Sequence, residues 1–366
     1  MPFCKQACHY CDFHFVTNLE SMEEMIEKIK VELILRKDYL NGERIETVYF
    51  GGGTPSLLKP KMIESILDII HKEYNSDWKE LTLESNPDDL SKENLSAWKS
   101  LGIDRLSLGI QSFNSKVLKF YNRAHSAQES REAIGKSRDM GFDKFSLDLI
   151  YGFPYKDHSI WQNDLNEALS LDPGHISSYA LTIEPKTALG TWVRKGKFEA
   201  PNEDFVAEQF EYLQKATEDT GYIQYEISNF GKPEQFALHN TNYWKGVPFL
   251  GVGPSAHSFD GKNRGANPRN NSIYIKSLNE NKSPYEAEDL NEEDLLNEYI
   301  LTGLRTIWGI DFSRIQKEYH VNLKEKKKSI LDQMNKEGWL LWDNNKLSLS
   351  KKGKLIADSI ASALFT

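Results

Sequence analysis

The sequence predicts an α/β protein: a partial (β/α) barrel followed by a smaller α+β module of winged-helix type. Three observations carry that reading. Short apolar runs alternate with helical stretches from residue 20 to about residue 228, as in a parallel sheet with crossover helices. A triple glycine, a lone acid and a lone amide (Gly51 to Gly53, Glu84 and Gln111) fall where apolar runs end, and ligands in such folds bind beyond the carboxyl ends of the strands. Near residue 285 the alternation gives way to helices and a small hairpin.

Met25, Ile26, Ile29, Val31, Leu33 and Leu35 lie at broadly helical spacing and predict a helix within 20–40. Thr47-Val-Tyr-Phe50 reads as a strand, stopped by Gly51-Gly52-Gly53-Thr54-Pro55, and Met62, Ile63, Ile66, Leu67 and Ile70 stripe a helix over 60–74. Further strands are predicted at 81–84, 105–110, 144–150, 175–182 and 224–228. The helices between them lie from about Ser91, then at 114–121, 127–140, 158–171 and 203–220. The acidic run 286–294 is a linker or the start of a helix. Helices follow over 295–306, 312–319 and 323–337, then a hairpin about Asp343-Asn-Asn345 and a helix over 352–364. The expected parts are a barrel core over 1–230, an extension and connection over 231–285, and the winged-helix-like module over 286–366. That module's fold often binds DNA, but fold alone is not function.

Composition narrows the function. The 366 residues carry a net charge of −9, with no basic face for nucleic acid. No run approaches the 18 or so apolar residues of a membrane span, and no secretory signal is evident, so the expected setting is the cytoplasm.

All three cysteines stand in one short segment, Cys4-Lys-Gln-Ala-Cys8-His-Tyr-Cys11. Three soft thiolates suit a [4Fe–4S] cube with one iron left open. Zinc is the competing ligand, with His9, Asp12 or His14 as a fourth donor. A disulfide is disfavoured by the odd count. Asp148 interrupts an apolar strand, where a carboxylate is rarely buried without a partner. Gln111 is expected to be a buried amide that needs partners.

PFCKQACHYCDF, YFGGGTPS, ESNPDDL, RLSLGIQSF, DLIYGFP and HNTNYW, in that order, resemble the radical S-adenosylmethionine (SAM) family around the oxygen-independent coproporphyrinogen III oxidases. Within it they resemble the HemW-type haem chaperones, over nearly the whole chain. The resemblance implies a [4Fe–4S] cluster ligated by Cys4, Cys8 and Cys11. It also implies SAM contacts at Tyr10, Gly52, Gly53, Thr54, Glu84, Gln111, Arg123 and Asp148.

Two features separate oxidase from chaperone in that family. The oxidases carry a further cysteine two positions after the third, where this chain has Phe13. His239-Asn240-Thr241-Asn242-Tyr243-Trp244 matches the H-N-x-x-Y-W element of the chaperones, in which His239 would ligate haem iron and the aromatics pack on the macrocycle. His257 is a second, weaker candidate. The oxidase alternative is radical decarboxylation of a porphyrinogen propionate after reductive SAM cleavage, so whether the chain is an enzyme stays open. The implied partners are haem, a haem-acceptor protein and an electron donor if SAM is cleaved. Family members usually have a short apolar strand before the P-F-C segment. Without it, the expectation is an unpaired edge beside the cluster loop and a less firmly held cluster.

Overall fold

Seven strands form a single open sheet in the computed structural model, which describes residues 1–366. In chain order its elements are α1 (Met22–Leu35), β1 (Ile45–Phe50), α2 (Pro60–Glu73), β2 (Ser76–Ser85), α3 (Lys92–Ser100) and β3 (Arg105–Gln111). Next come α4 (Ser115–Phe120), α5 (Ala127–Asp139), β4 (Lys144–Tyr151), α6 (Ser159–Ser170) and β5 (Gly174–Ala180). The series closes with α7 (Ala188–Arg194), α8 (Glu203–Asp219), β6 (Ile223–Glu226) and β7 (Asn229–Gly231). The sheet runs β1-β2-β3-β4-β5-β7-β6. Neither end strand closes on the other, so the barrel is partial.

Side chains alternate across this sheet, and the alternation builds the site. Leu81, Leu83, Leu106, Leu108, Leu147 and Leu149 are fully buried on the face that packs against the helices. The pairings Tyr49↔Thr82, Glu84↔Ser107 and Asp148↔Ser177 put Tyr49, Glu84, Ser107, Asp148 and Ser177 together on the other face. The helix starts follow capping chemistry. Ser91 caps α3, and Ser126 with Glu129 forms a capping box on α5.

The wholly parallel sheet expected from the alternation holds for β1 to β5 only. β7 pairs antiparallel with both β5 and β6, because Ile227 and Ser228 leave too short a connection for a crossover. Helix α7 and strand β7 are too short for periodicity to reveal.

Residues 231–285, left without elements by the sequence, form α9 (Leu238–Trp244), β8 (His257–Phe259), β9 (Arg264–Ala266) and α10 (Asn271–Asn279). Then come β10 (Glu286–Glu288), α11 (Glu292–Leu304), β11 (Ile310–Asp311), α12 (Phe312–Tyr319), α13 (Leu323–Lys326) and α14 (Lys328–Lys336). β12 (Leu340–Asp343), β13 (Lys346–Leu349), α15 (Lys351–Lys354) and α16 (Ala357–Leu364) end the chain. The acidic run is both strand and helix start. Glu286–Glu288 pairs with β9, and Asn291 caps α11 with Asp294 in a capping box. Acids in that first turn suit the positive end of the helix.

The hairpin forms as expected, with Asn344 in the left-handed region at φ 54. The single helices expected over 323–337 and 352–364 are each broken, at Lys327 and at Leu355–Ile356. The buried residues of a second hydrophobic core lie between Leu296 and Leu364, and Ile227 packs against both this core and the one around the main sheet. No helix is long and apolar enough to cross a membrane.

Candidate functional site

The cysteine loop is closed at its base. Phe3 bridges Val16, the Val16 amide donates to the Pro2 carbonyl, and the Cys4 amide donates to the Val16 carbonyl. All three thiols are half-buried and unpaired. Burial raises Cys4 and pushes Cys11 up to about 11, so both are thiols until a metal makes the thiolate favourable. The Thr54 hydroxyl and the Arg123 guanidinium point donors at sulfur, onto Cys4 and Cys8, each at 3.4 Å. Donors aimed at sulfur fit electron-rich thiolates, and three soft ligands on one loop fit a [4Fe–4S] cube with one open iron. No three ligating side chains converge tightly enough to enclose a single ion; a cube asks instead for one thiolate on each of three irons. Phe13 is three-quarters exposed on this loop.

Each glycine after β1 has its own cause. A Cβ on Gly51 would stand 2.5 Å from the Tyr49 ring, and one on Gly53 would stand 2.5 Å from the Phe3 carbonyl oxygen. Gly52 has φ +111, a conformation other residues rarely adopt. The close approach predicted for this turn is therefore made first by the chain itself: the Gly53 and Thr54 amides donate to the carbonyls of Met1 and Phe3 at 2.6 and 2.7 Å. Met1 to Phe3 thus run against the turn that follows β1, while β1 itself ends the sheet with β2 as its one partner strand, the unpaired edge that was expected.

Glu84 accepts from the Tyr49 hydroxyl at 2.5 Å and from the Gly52 amide at 3.0 Å. Burial raises its pKa, and those two donors oppose the rise. Asp148 is pushed up to about 7, first by burial and then by the charge of Glu84. Ser107 donates to it at 3.0 Å. Both residues are partly exposed on the inner face of the sheet rather than sealed in the core.

Arg123 spans several groups. It donates to Asn86 at 2.6 Å and to the Gly109 carbonyl at 2.8 Å, and reaches the Tyr10 hydroxyl at 3.4 Å. Its Nε is buried without an acceptor. Tyr10 is raised by burial and stays protonated. The structure therefore gathers Cys4, Cys8, Tyr10, Thr54 and Arg123 into one contact set, with Gly52, Gly53 and Glu84 adjoining it. Gln111 departs from expectation. It is half-exposed, at φ 66 on an irregularity in the β3–β4 pairing, so its amide needs no internal partner.

His239 lies on α9, whose N-terminal residue Ala237 has no capping side chain. Glu80 serves instead, accepting from the amides of Leu238 and His239 at 3.0 and 2.9 Å while bound to Arg105. This draws α9 against the inner face of the sheet. The His239 ring stacks on Tyr49, with centroids 4.7 Å apart, and its Nδ1 lies 2.8 Å from the Thr47 hydroxyl. Burial lowers the His239 pKa, so the imidazole is neutral. With the proton on Nδ1, Nε2 keeps a lone pair for a metal. His257 is exposed on β8, in a different sheet.

The Radical SAM superfamily matches residues 1–165, and the HemN C-terminal domain matches residues 290–356. The chain is 32% identical to the heme chaperone HemW of Bacillus subtilis over 99% of its own length and 97% of the relative's. It is 31% identical to the heme chaperone HemW of Synechocystis over 100% and 95% of the two chains.

The chain belongs to the HemW family of radical SAM proteins.

It is also 31% identical to the mitochondrial radical S-adenosyl methionine domain-containing protein 1 of Danio rerio, over 98% of this chain and 84% of that protein. Coproporphyrinogen III oxidase from Escherichia coli superposes with a TM-score of 0.85 at 20% identity, covering 100% of this chain and 88% of that one. At that identity the likeness establishes the fold, the partial barrel with its C-terminal module. In this HemW-family chain, sequence reasoning missed Tyr49, Asn86 and Glu80. Two of them carry a visible signal: Tyr49 stands two residues before the glycine run, and Asn86 stands within ESNPDDL.

Proposed function

We propose that this chain binds haem and passes it to an acceptor protein, with a [4Fe–4S] cluster and exchangeable SAM controlling the hand-over. One observation carries the reading: the neutral His239 imidazole of the HNxxYW element rests on Tyr49, and Tyr49 is bonded to Glu84. The haem-ligand candidate and a SAM-contact candidate are thus two ends of one contact chain.

In this reading Cys4, Cys8 and Cys11 hold the cluster, and Tyr10, Gly52, Gly53, Thr54, Glu84, Gln111, Arg123 and Asp148 hold SAM. Bound SAM would supply one-electron chemistry if a protein donor reduces the cluster. The paired carboxylates Glu84 and Asp148 attract its cationic groups, and Arg123 fixes Tyr10 beside Cys8. His239 offers Nε2 to haem iron. The parts are the barrel over 1–230, the HNxxYW extension over 231–285 and the C-terminal module over 286–366, working in the cytoplasm, where thiols stay reduced.

The test is a pair of anaerobic assays on cluster-reconstituted protein. Saturable binding of one haem per chain, weakened in His239→Ala, with coproporphyrinogen III left unconverted in the presence of SAM and reductant, is the expected result. Steady decarboxylation of coproporphyrinogen III, with weak haem binding indifferent to His239, would overturn it.

A further inference from the structure

Gln111, at the end of β3, is held in a costly conformation. Its φ is 66, and the Ser112 amide donates back to the Ile110 carbonyl at 2.8 Å. Such a return about a residue of positive φ is the rare, strained form of the γ-turn. Strain of this kind persists only where neighbouring contacts over-determine it.

Those contacts come from α6. Asp164 is 3% exposed. Its Oδ1 accepts from the Phe113 amide at 2.8 Å, and its Oδ2 accepts from the Ser112 hydroxyl. The same hydroxyl accepts from the Asn114 amide at 3.0 Å, and the Asn114 side chain then caps α4. Burial pushes the Asp164 pKa up to about 6, with the Ser112 and Phe113 donors opposing the rise. The carboxylate is therefore ionised at neutral pH, and both bonds to it are charge-assisted.

The segment that starts at this pin carries two of the expected SAM contacts, Gln111 and Arg123. It returns to its own root, where Arg123 donates to the Gly109 carbonyl at 2.8 Å. A Cβ on Gly109 would stand 3.1 Å from both the Gln111 amide nitrogen and Arg123 Nη2. Gln111 and Arg123 thus meet beside a residue that has no side chain to part them. The far end of the segment holds the cysteine loop by bonds of its own. The Tyr121 carbonyl accepts from the His9 amide at 3.1 Å, and Asn122 donates to the Ala7 carbonyl at 2.8 Å.

We propose that Asp164 is a positioning residue for SAM. Through Ser112 and Phe113 it fixes the turn at Gln111, and with it the place where Gln111 and Arg123 meet, while touching neither SAM nor the cluster. This rests on the SAM contacts of the proposed function and deepens them.

Equilibrium SAM binding to the reconstituted full chain, kept anaerobic, tests this beside the EPR spectrum of the reduced cluster. Asp164→Ala is expected to lower SAM affinity about tenfold, the release of roughly one strained residue. The change that SAM induces in the EPR spectrum should move to about tenfold higher SAM. Iron content, the spectrum without SAM and haem binding are expected to match wild type. Asp164→Asn, which keeps an oxygen for the Phe113 amide, should recover most of the affinity. Ser112→Ala should weaken SAM binding by itself and add little to Asp164→Ala, since the two share one bond. It also carries the test if Asp164→Ala does not fold. Undiminished SAM affinity in either alanine variant, or equal loss of SAM, iron and haem, overturns the positioning role and leaves the SAM reading standing. Wild type that binds no SAM overturns the SAM reading and this inference with it.

Discussion

The Tyr49 hydroxyl donates to the Glu84 carboxylate at 2.5 Å across the inner face of the sheet. Because β1 and β2 are parallel and in register at Tyr49↔Thr82, the tyrosine is aimed at an acid two residues further along the next strand. The same ring supports His239. A change at Glu84 is therefore felt at the imidazole through one side chain.

Tyr49→Phe keeps the stack and removes the hydrogen bond. A bond to a charged group is worth about 1.5–3 kcal/mol, so SAM affinity should fall about tenfold while haem binding is preserved. Tyr49→Ala should lower both. Equilibrium binding of each ligand to the two variants checks this; equal loss of haem binding in both would disconnect the ring from His239.

Asp148 sets a pH dependence. Its pKa is pushed up to about 7 in the folded chain, while an unfolded aspartate titrates near 3.9. The folded state therefore holds a proton that the unfolded state has released, and this contribution to stability is lost as pH rises from about 4 to about 7. Asp148→Asn should gain in Tm over wild type at pH 8 and less at pH 5. SAM carries positive charge, so its affinity for wild type should rise between pH 6 and pH 8, and the variant should flatten that rise.

Replacing Cys4, Cys8 or Cys11 singly with alanine should take reconstituted iron from about four per chain to near zero, since a cube held by two thiolates is labile. Arg123→Lys, which cannot reproduce the forked contacts to Asn86 and the Gly109 carbonyl, should retain less iron than wild type after desalting. Full retention would remove Arg123 from the support of the loop.

The glycines give a paired prediction. Gly53→Ala drives a methyl to 2.5 Å from the Phe3 carbonyl oxygen and should cost about 1–3 kcal/mol in chemical denaturation. Gly135→Ala, in α5 with open space around it, should instead gain about 0.5–1 kcal/mol.

Much of this site was legible because its pieces are local. The cysteine spacing, the glycine run and Glu84 each announce themselves within a few residues of sequence. What escaped depends on chain-distant contact. Tyr49 reads as one more apolar strand residue until His239, 190 positions later, lies on it. Glu80 reads as a solvated strand acid until α9 arrives without a cap of its own.

The antiparallel turn of β6 and β7 was hidden in strands of four and three residues, below the reach of periodicity. Gln111 was misread because a strand-end amide after an apolar run looks buried, whereas at the β3–β4 irregularity it stays partly exposed beside Gly109 and Arg123.

The central claim is delivery, and transfer tests it most directly. Reconstituted protein carrying one equivalent of haem is mixed anaerobically with a haem-free respiratory haem protein, with and without SAM and reductant, then separated and read for haem in each fraction. The account predicts haem on the acceptor, arriving faster than from free haem and responding to SAM. Haem that stays on the chain, or reaches the acceptor no faster than free haem does, would contradict it.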